Sequence, residues 1–363
     1  MTKVIGGGSV TGKACAARRA ASLSRAMNTL IPQKNLITDV AGLKIGEAHD
    51  EAAATGVSAI VFDRPAVASI ATLGGAPGVR DTGLLEPEMT VDQVDAILLS
   101  GGSAFGLDAA GGAMAALVEQ GRGFAVGPAR VPIVPQAILF DLLNGGDKNW
   151  GRMPPYWELG YRATKSAGLE MALGTAGAGY GATTATLKGG LGSASVMTQS
   201  GFTLGALVAV NAVGTVTIGD GPHFWAAPFE QGDEFGGLGL PKTISEEDLR
   251  PRLKGVMPRA NTVIACIATD AQLSKAECKR LALAAHDGLA RAIRPAHTPM
   301  DGDTVFAAAT GHKPLANGPI GLTELTIAAS DVLARAIARG VYEAKPLPFE
   351  GAHPGWKNRF SGH

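Results

Sequence analysis

The sequence predicts a layered α/β fold, and three observations carry that prediction. From Asn35 onward, short apolar runs of strand length alternate with glycine-rich turns. Among them lie alanine- and glycine-rich stretches of helical period, the kind of helix that packs tightly on the outer face of a sheet. Hydrophobic residues make up 46% of the 363 positions and charged residues 18%, with 50 glycines; this implies a large core and close backbone packing, and excludes general disorder.

The elements follow in chain order. Residues 58–62 (Ser-Ala-Ile-Val-Phe) and 96–100 (Ala-Ile-Leu-Leu-Ser) read as strands, the second running into the loop Gly101-Gly102-Ser103-Ala104-Phe105-Gly106. A small, Ala-rich helix follows over 107–120 and stops at Gly121. Residues 206–211 form a third strand, and 214–218 its expected hairpin partner. The stretch 224–257 is polar, acidic and rich in glycine and proline, which predicts a surface linker. The apolar run 263–268 is expected to be a buried strand. Ser274 caps a helix whose apolar positions include Cys278, Leu281 and Leu289, and Thr323 caps a last helix to about Gly340; the Pro-rich tail after Ala344 is expected to be irregular.

Composition limits the function. With 32 basic and 32 acidic residues the chain has no basic excess to release counterions from a phosphate backbone, so no nucleic-acid partner is expected. Three scattered cysteines (Cys15, Cys266, Cys278) make neither a disulfide framework nor a zinc cluster; Cys266 reads as a small core residue and Cys278 as inert on its helix. No apolar stretch reaches eighteen residues, so no membrane partner is expected and the chain reads as cytoplasmic. Residues 1–34 form an extension, expected to be disordered; the first acidic side chain appears only at Asp39, a transit-type composition without a secretory apolar centre. The remaining division is 35–261, 262–343 and a tail at 344–363. No cofactor and no metal site are expected. An echo of a calcium loop at Asp147-x-Asn149-x-Gly151 fails because Arg152 stands where glycine is needed and Pro154-Pro155 interrupts it.

The sharpest chemical signal is Asn261-Thr262 at the entrance to the apolar run. A buried strand fixes the position of its first residue, and a threonine hydroxyl becomes a competent nucleophile when a free α-amine or a lysine takes its proton. Cleavage between Asn261 and Thr262 supplies that amine. Asp301 and Asp303 flank Gly302 on one tight turn and can share a proton or orient the nucleophile; for a metal, His297 is the only nearby further ligand. Lys188, in the glycine-rich loop 186–192, is a candidate desolvated base or positive partner of those carboxylates. Asn211, at a strand end, is a candidate oxyanion donor, and Gly101, Gly102 and Ser103 form a candidate oxyanion or substrate loop. That loop fits neither the dinucleotide nor the serine-elbow pattern.

Set together, residues 99–109, Val131-Pro132-Ile133-Val134-Pro135, Asn211-Ala212-Val213-Gly214, Asn261-Thr262 and Ala268-Thr269-Asp270-Ala271 resemble the self-processing aminopeptidases. That family includes the L-aminopeptidase/D-esterases, the β-peptidyl aminopeptidases and the 6-aminohexanoate (nylon) oligomer hydrolases. The resemblance runs from about Asn35 to Tyr342. It implies a four-layer α-β-β-α sandwich like that of the ornithine acetyltransferases and DmpA, with two sheets between helices. It implies self-cleavage into a chain ending at Asn261 and one beginning at Thr262, with Thr262 as nucleophile, Lys188 and Asn211 as supports or oxyanion donors, and Asp301 and Asp303 as the acidic pair. The aminopeptidase branch uses serine and a Ser-x-Glu pair; threonine with Asp-Gly-Asp resembles the nylon-oligomer branch. A tyrosine common in the family's pocket is Phe140 here, so its role is not carried over. The expected activity is an N-terminal-nucleophile amidohydrolase or peptidase acting on small peptides or amides, as a homo-oligomer of processed α/β heterodimers. The alternatives are an acyltransferase of the ornithine acetyltransferase type, or a serine-type aminopeptidase-like D-esterase/amidase activity.

Overall fold

The computed structural model describes residues 34–255, 261–315 and 318–361; the expectations for residues 1–33, Cys15 among them, lie outside these. Eleven strands are described: β1 (Leu43–Asp50), β2 (Thr55–Thr72), β3 (Val79–Arg80), β4 (Gln93–Ser100), β5 (Phe124–Val126), β6 (Ala129–Val131), β7 (Gln136–Ile138), β8 (Gly190–Met197), β9 (Thr203–Asn211), β10 (Thr262–Gln272) and β11 (Thr304–Pro314). The helices are α1 (Ala109–Val118), α2 (Tyr156–Lys165), α3 (Lys275–Ala292), α4 (Pro319–Tyr342) and the single turn α5 (Trp356–Arg359).

Nine strands form one hydrogen-bonded sheet in the order β3-β7-β4-β2-β11-β10-β9-β8, with β1 paired to β2; β5 and β6 make a separate hairpin. The expected two sheets are therefore joined. Strand β2 is 18 residues long, and its register against β4 shifts between Val61 and Ala66, where Asp63-Arg64-Pro65 are exposed. A proline inside a strand removes a ladder donor, and a bulge bends and twists it. Before the bulge β2 pairs with β1 and β4; beyond it, Ala66 and Val67 pair with β4 again and Val67–Thr72 pair with β11.

Strand alternation sorts the core into three layers. Ile264, Cys266 and Phe306 from β10 and β11 share a buried cluster with Leu207 of β9 and with Ile45, Ile60 and Ile97 of β1, β2 and β4; this is the layer where the sheet's two halves face each other. On the opposite face of β9–β11, Val208, Val263, Ala265 and Val305 pack on Leu281 and Leu289 of α3 and Leu333 of α4. On the opposite face of β2 and β4, Val57, Ala59 and Leu98 pack on Ala113 of α1 and Tyr156 and Leu159 of α2. Helix, half-sheet, half-sheet, helix is the four-layer order expected. Each fully buried Ile, Leu or Phe contributes about 1.5–3 kcal/mol.

Several elements differ from expectation. Residues 214–218 hold only single bridges, Thr215 to Arg294 and Thr217 to Phe224; the hairpin partner of β9 is β8, whose glycine-rich text hides its strand character. Helix α4 begins at Pro319, a turn before Thr323, because Pro at the first turn leaves no donor wasted; the Thr323 hydroxyl bonds the Pro319 carbonyl at 2.8 Å. Ser274 does cap α3, in a reciprocal capping box with Glu277. The stretch 224–257 is not a solvated linker in its first part: Phe224 and Phe235 are core residues, and Glu234 is held by the buried Arg335 at 2.6 Å. Past Ala344 the chain folds back, burying Trp356 and Leu347. Cys266 and Cys278 are both buried, and burial pushes the Cys266 thiol up to about 12, as an inert core thiol requires.

Candidate active site

Thr262 opens β10 between two neighbours, β9 and β11, and the two stretches on either side of the Asn261–Thr262 bond are interleaved in this one sheet. Asn211, the last residue of β9, is the direct cross-strand partner of Thr262. By strand alternation both side chains stand on the face that carries Leu207, Ala209, Ile264 and Cys266, at the rim of the layer between the half-sheets. The Thr262 hydroxyl lies against the carbonyl oxygen of Asn261, the residue it follows. The Gly302 amide donates to that same carbonyl at 3.3 Å, and Asn261 bridges to Asp301.

The Asp-Gly-Asp turn lies directly beside this bond. One oxygen of Asp303 accepts from the Val263 amide (2.9 Å), and the other from the amide (3.0 Å) and ring Nδ1 (2.9 Å) of His297. Burial would lower the His297 pKa, but the Asp303 carboxylate outweighs it and holds the imidazole above its usual value. Asp301 accepts from the Thr298 amide at 2.8 Å through one oxygen; the other is buried and, among the described residues, has no hydrogen-bond partner. Burial, then the neighbouring Asp303 charge, raises Asp301 to about 6. Gly302 is required here: a Cβ at that position would sit 2.8 Å from the Thr262 hydroxyl oxygen. Thr262 itself is only 4% exposed, so in this continuous chain it is buried.

Across the site, Lys188 is fully buried, and its amine donates to three carbonyls: Gly179 (3.0 Å), Ala182 (2.8 Å) and Gly189 (2.9 Å). Burial pushes its pKa down to about 7, while the three acceptors match an ammonium with every N–H committed. A cavity of 510 Å³, in the size range of small-molecule sites, opens beside it, lined by Thr183, Lys188, Lys254, Leu347 and His353. A larger one of 610 Å³ along α4 near Ile320 and Ile327 carries none of the candidate residues.

A sequence model of peptidase family S58 matches residues 35–353. The chain belongs to that family. It is 43% identical over 351 residues to an uncharacterised aminopeptidase of Mycobacterium bovis, covering 90% of this chain and 98% of the relative. It is 27% identical over 332 residues to a 6-aminohexanoate-oligomer endohydrolase of Kocuria, covering 84% and 85% of the two chains. In structure it is similar to the L-aminopeptidase D-Ala-esterase/amidase of Ochrobactrum anthropi, described as a variant of the Ntn hydrolase fold: TM-score 0.66, 19% identity, with 92% and 93% of the two chains covered. At that identity the likeness bears on the fold alone. The family makes this chain a hydrolase of the peptidase class.

In this S58 peptidase the structure brings Asn261, Thr262, Asn211, Asp301 and Asp303 to one place; Lys188 is linked to it through Thr183, which bridges to Lys188 and donates to Asn211 Oδ1. The Gly101–Ser103 loop differs from the open donor set expected of it. The amides of Gly101, Gly102 and Ser103 already donate to Gly56 O (2.9 Å), Asp141 Oδ1 (2.8 Å) and Leu139 O (2.9 Å). Gly102 is left-handed (φ 85°), and a Cβ there would run into the Tyr156 ring.

Two residues of the site escaped the sequence reading. His297, considered only as a metal ligand, is the partner of Asp303; among the described residues no group of three or more His, Cys, Asp or Glu side chains could hold a metal. Lys254, inside the stretch read as linker, donates to Asn211 Oδ1 at 2.7 Å and to Thr183 O at 3.0 Å. Its spacing from Thr262 was the only available signal, and spacing alone does not mark a contact. Among the described residues no helix is long and apolar enough to cross a membrane.

Proposed function

We propose that this S58 peptidase cleaves its own Asn261–Thr262 bond and then hydrolyses amide bonds of small peptides or amino-acid-derived oligomers through Thr262. The observation that carries the reading is the Thr262 hydroxyl lying against the carbonyl of the bond to be cut, with the Gly302 amide on that carbonyl. In processing, Thr262 Oγ1 attacks the Asn261 carbonyl carbon. The Oγ1 proton passes to the departing nitrogen as the C–N bond breaks, leaving an Asn261 ester on Oγ1 and a free Thr262 amine. Water then hydrolyses the ester to an Asn261 carboxylate and restores the hydroxyl. The Gly302 N–H donates to the oxyanion formed on the way.

In turnover the same oxygen attacks a substrate amide carbonyl, and its proton passes through the Thr262 α-amine to the leaving amine. The acyl ester that forms is hydrolysed by water, giving the acid and restoring Thr262. Asn211, directly across the ladder, donates to the tetrahedral oxyanion. Asp301, whose second oxygen is buried and has no partner among the described residues, receives the new ammonium, and Asp303 with His297 fixes the strand start through Val263. Lys188 anchors its loop; its three carbonyl partners leave the proton transfer to the α-amine.

The substrate reading rests on the Asp-Gly-Asp and threonine pattern and on the oligomer endohydrolase relative. The test is a panel of alanine p-nitroanilide, a β-peptide and a linear 6-aminohexanoate oligomer, with a labelled amine present as competing acceptor. Release of free acid from an amide supports hydrolysis. Transfer of the acyl group to the labelled amine in preference to water replaces it with an acyltransferase.

A further inference from the structure

The second lysine of the site is unassigned by the reading above. Lys254 is half-buried, its backbone amide is tied to Val213 O at 2.8 Å, and its amine reaches Thr183 O and Asn211 Oδ1. Asn211 Oδ1 also accepts from the Thr183 amide at 3.1 Å. Two donors converge on one face of the Asn211 carboxamide, so its oxygen is pinned there. The nitrogen is thereby held on the other side, where it donates to Phe140 O at 3.0 Å. A carboxamide is nearly symmetric in shape, and only its partners decide which end donates. An oxyanion donor with its oxygen turned the wrong way would repel the developing charge.

We propose that Lys254 is a positioning residue: it locks the orientation of Asn211, so that the amide nitrogen and not the oxygen is presented at the reacting centre beside Thr262. The proposal rests on the Thr262 reading, since it assigns no chemistry of its own. Both lysines border the same cavity, but their geometry separates them. Lys188 spends its donors on three main-chain carbonyls, whereas Lys254 spends one on a side chain that itself faces Thr262 across the ladder. Lys254 lies on the N-terminal side of the scissile bond. A segment of the first chain thus stays built into the site of the second.

The experiment is a double-variant cycle on the purified full chain, with alanine p-nitroanilide as probe and turnover normalised to processed chain. Lys254→Met is expected to lower kcat about 10- to 100-fold with KM little changed, the cost of a misplaced group. Lys254→Arg, which keeps a donor, is expected to recover most of it. Lys254→Met combined with Asn211→Ala is expected to be no worse than Asn211→Ala alone. If Lys254→Met processes only slowly, the same cycle is read on the rate of fragment appearance, with the same non-additivity expected. Unchanged kcat, a change in KM alone, or effects that multiply in the double variant overturn the proposal. Thr262→Ala serves as control: if it still cleaves itself or turns over the probe, the nucleophile reading has failed, which is a different result from an inert Lys254.

Discussion

Asn211 and Thr262 are direct partners across the β9–β10 ladder, both on the face that looks into the layer between the half-sheets. Directly opposed residues in an antiparallel pair keep their Cβ atoms about 4.5–5.5 Å apart. On the proposed reading, the ladder thus sets nucleophile and oxyanion donor within reach of a single carbonyl group. If that reading holds, Asn211→Ala lowers kcat by about 10²-fold or more while KM changes little, as loss of one oxyanion donor does. Steady-state kinetics on processed enzyme check it. An effect confined to KM places Asn211 in substrate binding instead.

Gly302→Ala tests the contact between the acidic turn and Thr262. The added methyl would sit 2.8 Å from Thr262 Oγ1 and 2.8 Å from the Ala76 carbonyl, both too close, so the threonine must shift. A misplacement on the scale of 1 Å costs about 10²-fold in rate. A time course of fragment formation is expected to slow by that order, and wild-type processing would remove the turn from the mechanism.

The buried titratable groups give stability a signed pH dependence. Lys188 and Lys254 are both pushed down to about 7 by burial, from an ordinary value near 10.5. A depressed amine contributes stability that is present above the unfolded value and lost as pH falls through about 7. Asp301, raised to about 6, acts in the other sense and in a lower window: its contribution is present below about 4 and lost as pH rises through 6. The Tm of the Thr262→Ala chain is therefore expected to rise between pH 7 and pH 10. Adding Lys254→Met should flatten that rise. Parallel Tm curves for the two chains would refute the assignment.

Arg335 ties the stretch 224–257 to α4. Its guanidinium grips Glu234 through two bonds of 2.6 and 2.9 Å and also reaches Asn35 (2.8 Å) and the Ser195 carbonyl (3.0 Å). Arg335→Met leaves a buried carboxylate with Arg339, at 3.6 Å, as its one remaining cation among the described residues, beside the neutral donors Asn35 Nδ2 (2.7 Å) and the Gln231 amide (3.1 Å). The expected loss is about 3 kcal/mol in urea unfolding, the lower end for a broken buried pair. A loss below 1 kcal/mol would show that Arg339 takes over.

What the sequence made legible was local. The run 263–268 reads as a buried strand because both of its faces are covered, and Ser274 reads as a cap because Glu277 follows three residues later. Asn261, Thr262, Asp301 and Asp303 were legible because a polar pair before an apolar run and an Asp-Gly-Asp turn are conspicuous within a few residues. Strand β8 was not: Gly190-Leu191-Gly192-Ser193 has the text of a loop, and tertiary packing overrides it. Gly190 and Gly192 let the α4 backbone come close, since a Cβ on either would collide with a carbonyl of that helix, Gly340 or Ala336. Lys254 was missed for the opposite reason. Its surroundings are polar and its partner is 43 residues away, a contact that only the fold creates.

The most direct measurement is the intact mass and N-terminal sequence of the purified wild-type chain beside Thr262→Ala. The account predicts two wild-type polypeptides, the smaller beginning Thr-Val-Ile-Ala-Cys, amide-hydrolysing activity only in the cleaved material, and a single inactive full-length chain for the variant. An uncleaved wild-type chain with full activity, or a Thr262→Ala chain cut at the same bond, would contradict it.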